Sequence, residues 1–145
     1  LKKAIYGRNH QSNQDIIIAA DTIVVHNEEI IGKPDTSESV FPILNQLNGE
    51  THQVITSYIL LDCTNQDHIQ REVTTKVVFN KLEEAFLRAY AESPEPLDKA
   101  GAYSIQGLGT FLVKSIDGSY NNVVGLPIES LLQDLITLDA IGFAK

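Results

Sequence analysis

The chain has 145 residues, 43% of them hydrophobic and 21% charged, which suits one globular domain with a buried core; no second domain is expected. Its formal charge of −8 argues against non-specific binding to nucleic acid or to an anionic membrane, because both partners need a basic surface to release their counterions. A phosphate-bearing ligand must therefore be met by local lysines. One cysteine, Cys63, excludes an internal disulfide, and the sequence shows neither a signal peptide nor a bilayer-length apolar run, so the reducing cytoplasm is the expected compartment. There is no methionine, and Leu1-Lys2-Lys3-Ala4 reads as mid-helix; the sequence reads as an incomplete chain.

In chain order, residues 1–8 read as the tail of a helix. Asp15 then introduces Ile16-Ile17-Ile18-Ala19-Ala20, a continuous apolar run of the kind found in strands buried on both faces, which ends on Asp21. Ile23-Val24-Val25 and Ile30-Ile31 flank His26-Asn27-Glu28-Glu29, a polar connection of hairpin length, so that Lys33 follows the returning strand and Pro34 stops further pairing. Ser37 is the expected cap of a helix running to Leu47, with Asn48-Gly49 as its stop and Pro42 as a local conflict, tolerable in the first turn or at a kink.

Residues 53–61 are rich in β-branched and aromatic types, and Val73, Thr75, Val77 and Phe79 alternate with polar neighbours, which predicts two antiparallel strands joined around residues 62–68. A helix is expected over residues 82–90 with Leu82, Phe86 and Ala89-Tyr90 inward, ended by Pro94-Glu95-Pro96. Residues 110–116 read as a strand and Asp117-Gly118-Ser119 as a turn. Pro127 stands at the first position of a helix whose Ile128, Leu131, Leu132, Leu135 and Ile136 form a core stripe. Helices and strands alternate with antiparallel hairpins among them. The fold class is therefore α/β, a mixed twisted sheet flanked by helices, with a ligand cleft at strand ends near Asp21 and Lys33.

The stretch from Asp98 to Gln106, Asp-Lys-Ala-Gly-Ala-Tyr-Ser-Ile-Gln, places an acid, a base and a carboxamide around a flexible glycine with no aliphatic stripe to explain them. It reads as a site. Ala20-Asp21-Thr22 and Gly32-Lys33-Pro34 have the same character. Other chemistries find little support. Gly107-Leu108-Gly109 lacks the third glycine of a dinucleotide fingerprint, and there is no Gly-Lys-Ser/Thr phosphate loop. His10, His26, His52 and His68 show no metal-ligand spacing and read as surface or strand residues. Cys63 lies in a polar loop without a histidine partner, and Tyr103 and Tyr120 read as packing residues. Taken singly, the site candidates have ordinary explanations: Asp21 as a turn or cap, Lys33 as a solvated loop lysine, Asp98-Lys99 as a helix N-cap, Gln106 as a surface amide.

As an ordered set, followed by Gly118-Ser119-Tyr120-Asn121-Asn122-Val123-Val124-Gly125-Leu126-Pro127, these motifs resemble the Maf family of nucleoside triphosphate pyrophosphatases, over nearly the whole chain from Lys3 to the last helix. The resemblance implies hydrolysis of a nucleoside triphosphate to the monophosphate and pyrophosphate, with Asp21 matching the proposed general base. Lys3 matches a phosphate-contacting lysine, and Thr22 and Gln106 match specificity positions. The Ala-Tyr-x-Ile-Gln-Gly form is similar to that of the branch acting on dTTP and UTP; a methylated purine nucleotide is the weaker option. A serine and paired arginines that members carry upstream find no match here. A homodimer is compatible with the resemblance.

Such hydrolysis needs a water aimed at the α-phosphorus, a carboxylate to activate it or hold a metal, and positive charge on the leaving pyrophosphate. Asp21, delivered by an apolar run to a partly desolvated position, suits the base; Lys33 and Lys99 suit the phosphates; Asp98 with Asp21 suits a divalent cation, Mg²⁺ or alternatively Mn²⁺. Gln106 carries the donor and acceptor that a base edge requires. The competing expectation is a non-catalytic module that binds a nucleotide or protein partner in the control of cell division.

Overall fold

The structure, a computed structural model, describes residues 16–65 and 67–141. The helix tail expected over residues 1–8 lies outside the described residues, as does Lys3. Five strands form one sheet in the order β2-β1-β3-β4-β5: β1 (Ile16–His26), β2 (Glu29–Ile31), β3 (Thr51–Asp62), β4 (His68–Phe79) and β5 (Val113–Asp117). Every described pairing is antiparallel, so the α/β class stands without a parallel pair among the described residues. The β1–β2 hairpin closes through Asn27 and Glu28, both at positive φ (51° and 67°), the backbone hand that matches the twist of the flanking strands.

Among the described residues four helices cover the sheet: α1 (Ser37–Leu47), α2 (Glu84–Ala91), the short α3 (Tyr120–Val124) and α4 (Ile128–Thr137). Thr36, one residue before the expected Ser37, stands at the N-cap of α1, and its N–H donates to the Ser39 hydroxyl (3.2 Å). Pro42 falls in the second turn, where it removes a bond to the Glu38 carbonyl; the helix runs on because Val40, Leu44 and Leu47 on its inner face are buried against the sheet. That core joins α1 and Leu87 and Tyr90 of α2 to Val24, Val54, Val77 and Phe79 of the sheet. A second block, Tyr58, Leu60 and Leu131, docks α4 on the sheet further along β3. Among the described residues no helix is long and apolar enough to cross a membrane.

Several expectations are corrected. β1 does not end at Asp21 and is not buried on both faces: it runs unbroken to His26, with Ile18 and Asp21 exposed. Ala-Asp-Thr does not stop a strand, because the β-branched Thr22 to Val25 continue it and the aspartate faces water. In α2, Phe86 is 56% exposed, whereas Leu87 is fully buried, so the inward face is rotated by one residue. Residues 107–112 form a 3₁₀ turn instead of the start of a strand, leaving only 113–117 to pair with β4. Pro127 is the N-cap of α4, and the expected stripe is split: Leu131 is buried, but Ile128, Leu132 and Ile136 are exposed. Cys63 is buried and Tyr120 exposed, both against expectation.

Candidate active site

Between the two covering blocks the sheet is left open over β1, and a cavity of about 330 Å³ occupies the gap. Its lining includes Ala20, Asp21, Thr22 and Val24 of β1, Val54 of β3, Lys33, the Asp98-Lys99-Ala100 segment with Tyr103, and Val123 to Gly125. Five pieces of chain meet here. Five of the expected site residues, Asp21, Thr22, Lys33, Asp98 and Lys99, are thereby brought together. Gln106 is not: it is exposed before the 3₁₀ turn, where its backbone N–H donates to Ser104 Oγ (3.1 Å).

Asp21 sits in mid-strand opposite Ser57, not at the strand end that was expected, and it is solvent-exposed where partial desolvation was expected. Thr22 lies opposite Thr56. Its Oγ1 is 2.9 Å from Thr56 Oγ1 and donates to the Gly125 carbonyl (3.2 Å), which fastens β1 to the end of α3. Much of the hydrogen-bonding capacity of Thr22 is therefore spent inside the protein.

The two lysines arrive on segments that are tied to each other. Gly101 N–H donates to the Gly32 carbonyl (3.0 Å), so the loop before Lys33 and the loop after Lys99 share a backbone hydrogen bond. Gly101 (φ 71°) and Ala102 (φ 57°) turn the chain through two successive left-handed residues. A Cβ at Gly101 would meet the Val24 side chain at 3.0 Å, so both the dihedral and the packing require glycine. Lys99 Nζ donates to Asp98 Oδ2 (3.1 Å), and this ammonium group, helped by Lys33, holds the Asp98 carboxyl below the usual carboxylate range.

The opposite wall is built by the Gly-Ser-Tyr-Asn-Asn segment. Ser119 caps α3 by accepting from Asn122 N–H (3.0 Å). Asn122, fully buried, donates through Nδ2 to the Val54 carbonyl (3.0 Å) and to Thr75 Oγ1 (3.1 Å), and Thr75 donates to the Ser119 carbonyl (3.0 Å). Gly118 (φ 127°) lets this wall approach the sheet, since a Cβ there would meet Thr75 Oγ1 at 2.8 Å.

Sequence reasoning passed over three residues that shape the site. Tyr103 was read as packing; it is buried, lines the cavity, and its hydroxyl lies 2.8 Å from Nε2 of His52. His52, read as a surface or strand residue, is a buried strand residue. Glu95, read only as part of a helix stop, accepts from the backbone N–H groups of Leu108 (3.0 Å) and Gly109 (2.8 Å) and from Tyr90 Oη (2.8 Å), which anchors the far side of the site motif. The Pro-Glu-Pro spacing carries no local signal for contacts thirteen and fourteen residues away.

Chemically, the cavity offers two carboxylates, two ammonium groups and a floor of small apolar side chains, in a volume on the scale of a small-molecule site. Among the described residues there is no group of three or more His, Cys, Asp or Glu that could hold a metal by itself. A pair of exposed aspartates is instead the donor set of a hard cation that shares its coordination with waters and phosphate oxygens.

A "dTTP/UTP pyrophosphatase" of Clostridium botulinum (strain Alaska E43 / Type E3) is 41% identical over 131 residues, covering 90% of this chain and 70% of the relative. A protein of the same name from Ruminiclostridium cellulolyticum is 45% identical over 116 residues, covering 80% and 60%. Another, from Geobacter metallireducens, is 44% identical over 124 residues, covering 86% and 65%. The chain thus spans 60% to 70% of the length of these curated relatives. The sequence model of the family described as "Maf-like protein" matches residues 1–138, and the chain belongs to that family.

Proposed function

We propose that this protein is a nucleoside triphosphate pyrophosphatase that hydrolyses dTTP, UTP or a modified pyrimidine relative to the monophosphate and pyrophosphate. The observation that carries the reading is the meeting of Asp21, Lys33, Asp98 and Lys99 around one cavity, although 77 residues separate Asp21 from Asp98 along the chain. The names of the relatives point the same way, and they give the non-catalytic alternative no support.

In this mechanism the Asp21 carboxylate takes a proton from a water directed at the α-phosphorus. The exposed position keeps the carboxylate accessible to water, so its contribution is placement. Lys33 and Lys99 lie on the phosphate-binding side and neutralise the charge that develops on the departing pyrophosphate. Asp21 and Asp98 would hold Mg²⁺, or Mn²⁺ in its place; when bound, the cation polarises phosphate oxygens and adds positive charge at the transition state. Thr22, fastened to Thr56 and Gly125, fixes the wall against which the nucleoside packs, and Gln106 contacts the base only if the loop carrying it closes over the ligand. Lys3 would add a further phosphate contact. The proposal includes a cytoplasmic enzyme and a homodimer.

The test is pyrophosphate release from dTTP, UTP and a methylated guanine triphosphate, with and without Mg²⁺. Release from the two pyrimidine substrates that depends on the cation, and that disappears in Asp21→Asn while circular dichroism is unchanged, supports the reading. Undiminished turnover in Asp21→Asn removes the assigned base; preference for the methylated purine removes the assigned substrate.

A further inference from the structure

The Lys99 loop adopts a conformation that its own sequence does not favour. Gly101 and Ala102 are consecutive left-handed residues, and for Ala102, which has a Cβ and is fully buried, that region is unfavourable relative to ordinary backbone. Such a turn persists only where its surroundings determine it. On one side it is held by the bonds from Gly101 N–H to the Gly32 carbonyl and from Ala102 N–H to the Lys99 carbonyl, each 3.0 Å. On the other it runs directly into Tyr103.

Tyr103 is the stronger anchor. Its ring meets Phe79 edge to face at 4.7 Å between centroids and His52 at 5.4 Å, and its hydroxyl is 2.8 Å from His52 Nε2. Tyr103 is 5% exposed and His52 2%, so the bond is shielded from water, and His52 stands on β3, the rigid central strand of the sheet. His52 Nδ1 is buried without a hydrogen-bond partner, so Tyr103 is the sole polar contact of this imidazole among the described residues. Burial also keeps the ring neutral, with its pKa pushed down to about 4. Burial raises the Tyr103 phenol above its ordinary range, so that it remains protonated.

We propose that the His52–Tyr103 hydrogen bond is the positioning device of the phosphate-binding side: it fixes the left-handed turn and thereby sets Lys99 beside Lys33 in the cavity. Neither residue acts on the substrate through this bond; both act through Lys99. The proposal rests on the polyphosphate reading of the cavity and adds to it the residues that hold the cavity in shape.

The test is a double-mutant cycle on the full chain, using inorganic tripolyphosphate as the calorimetric probe so that binding is read without turnover. Tyr103→Phe removes one oxygen and keeps the ring. It is expected to weaken tripolyphosphate binding about tenfold when Lys99 is present, and by less than about twofold in a Lys99→Ala background. His52→Gln, which retains an amide near the position of Nε2, should recover part of the loss seen in His52→Leu. Equal losses with and without Lys99, or no loss at all, overturn the proposal. If Tyr103→Phe does not fold, the His52→Gln and His52→Leu pair in the same two backgrounds decides it by the same criterion. Wild type that shows the coupling but releases no pyrophosphate from dTTP sinks the hydrolase and leaves the positioning device standing. Hydrolysis with additive losses does the reverse, and a wild type that neither binds nor hydrolyses removes both.

Discussion

The two ends of β3 use polar groups in opposite ways. Beneath α4, Asp134 is buried and saturated: it accepts from Arg71 through Nε (3.1 Å) and Nη2 (3.0 Å) and from the Tyr58 hydroxyl (2.7 Å). The Arg71 hydrogen bonds, the largest influence, hold its carboxyl below the usual range. At the cavity, Asp98 is 73% exposed and pairs only with its sequence neighbour, and Lys33 forms no ion pair among the described residues. One end spends its charges on docking a helix; at the other, the side chains of Asp98 and Lys33 stay exposed to solvent. A carboxylate fully engaged by the protein has no lone pairs for a ligand, so the contrast separates structural from ligand-directed charge more sharply than burial does.

The largest effect that tests this contrast is on catalysis. Asp21→Asn should lower kcat for dTTP by about 100- to 10,000-fold while the unfolding transition stays within about 1 °C, as read by steady-state pyrophosphate release and a thermal melt. An equally large fall in stability would make Asp21 a structural residue like Asp134.

Next is the pH dependence of stability. Burial first, and the neighbouring His26 second, push His52 down to about 4 from 6.5. A neutral buried imidazole binds fewer protons than the unfolded chain, so its contribution is fully present above pH 6.5 and is lost as pH falls toward 4, by about 3 kcal/mol at most. Urea denaturation at pH 7 and at pH 4.5 measures the loss, and His52→Gln should flatten that part of the profile.

Asp134→Ala leaves the Tyr58 hydroxyl without its acceptor. Because Arg71 is 56% exposed and can turn to water, the expected cost is about 2 kcal/mol, with kcat of the folded fraction unchanged. The smallest effect concerns α2: Phe86→Ala should change stability by less than about 0.5 kcal/mol, whereas Leu87→Ala, at a fully buried position, should cost about 3 kcal/mol. Chemical denaturation of the pair shows which residue faces the core.

That last pair also shows where sequence reading stops. Alternation and turn chemistry located the β1–β2 hairpin, the β3–β4 pair and α1 within a few residues, because those signals are local. A helix of eight residues such as α2 has too few turns to fix its inner face, so the choice between Phe86 and Leu87 rests on contacts with α1. The same limit explains the site. Asp21, Lys33, Asp98 and Lys99 stood out as polar residues without an aliphatic stripe to explain them, and as an ordered set that, with Thr22, matches the family's motifs. Glu95, His52 and Asn122 support them through partners 13 to 68 positions away, and nothing in their immediate neighbours announces this. Asp21 was placed at a strand end for the converse reason: an aspartate after an apolar run looks like a terminus, although an exposed position in mid-strand accepts one without difficulty.

The wall formed by Val123, Val124 and Gly125 has a consequence for how the molecule comes into being. During synthesis the residue assigned as base emerges before α3, and the pocket it serves has no far side until α3 has left the ribosome and Asn122 has locked onto Val54 and Thr75. A chain halted between Lys99 and Gly125 therefore holds Asp21, Lys33 and Lys99 without an enclosed place for a nucleotide. Any activity that uses this cavity waits for α3 to fold onto the sheet.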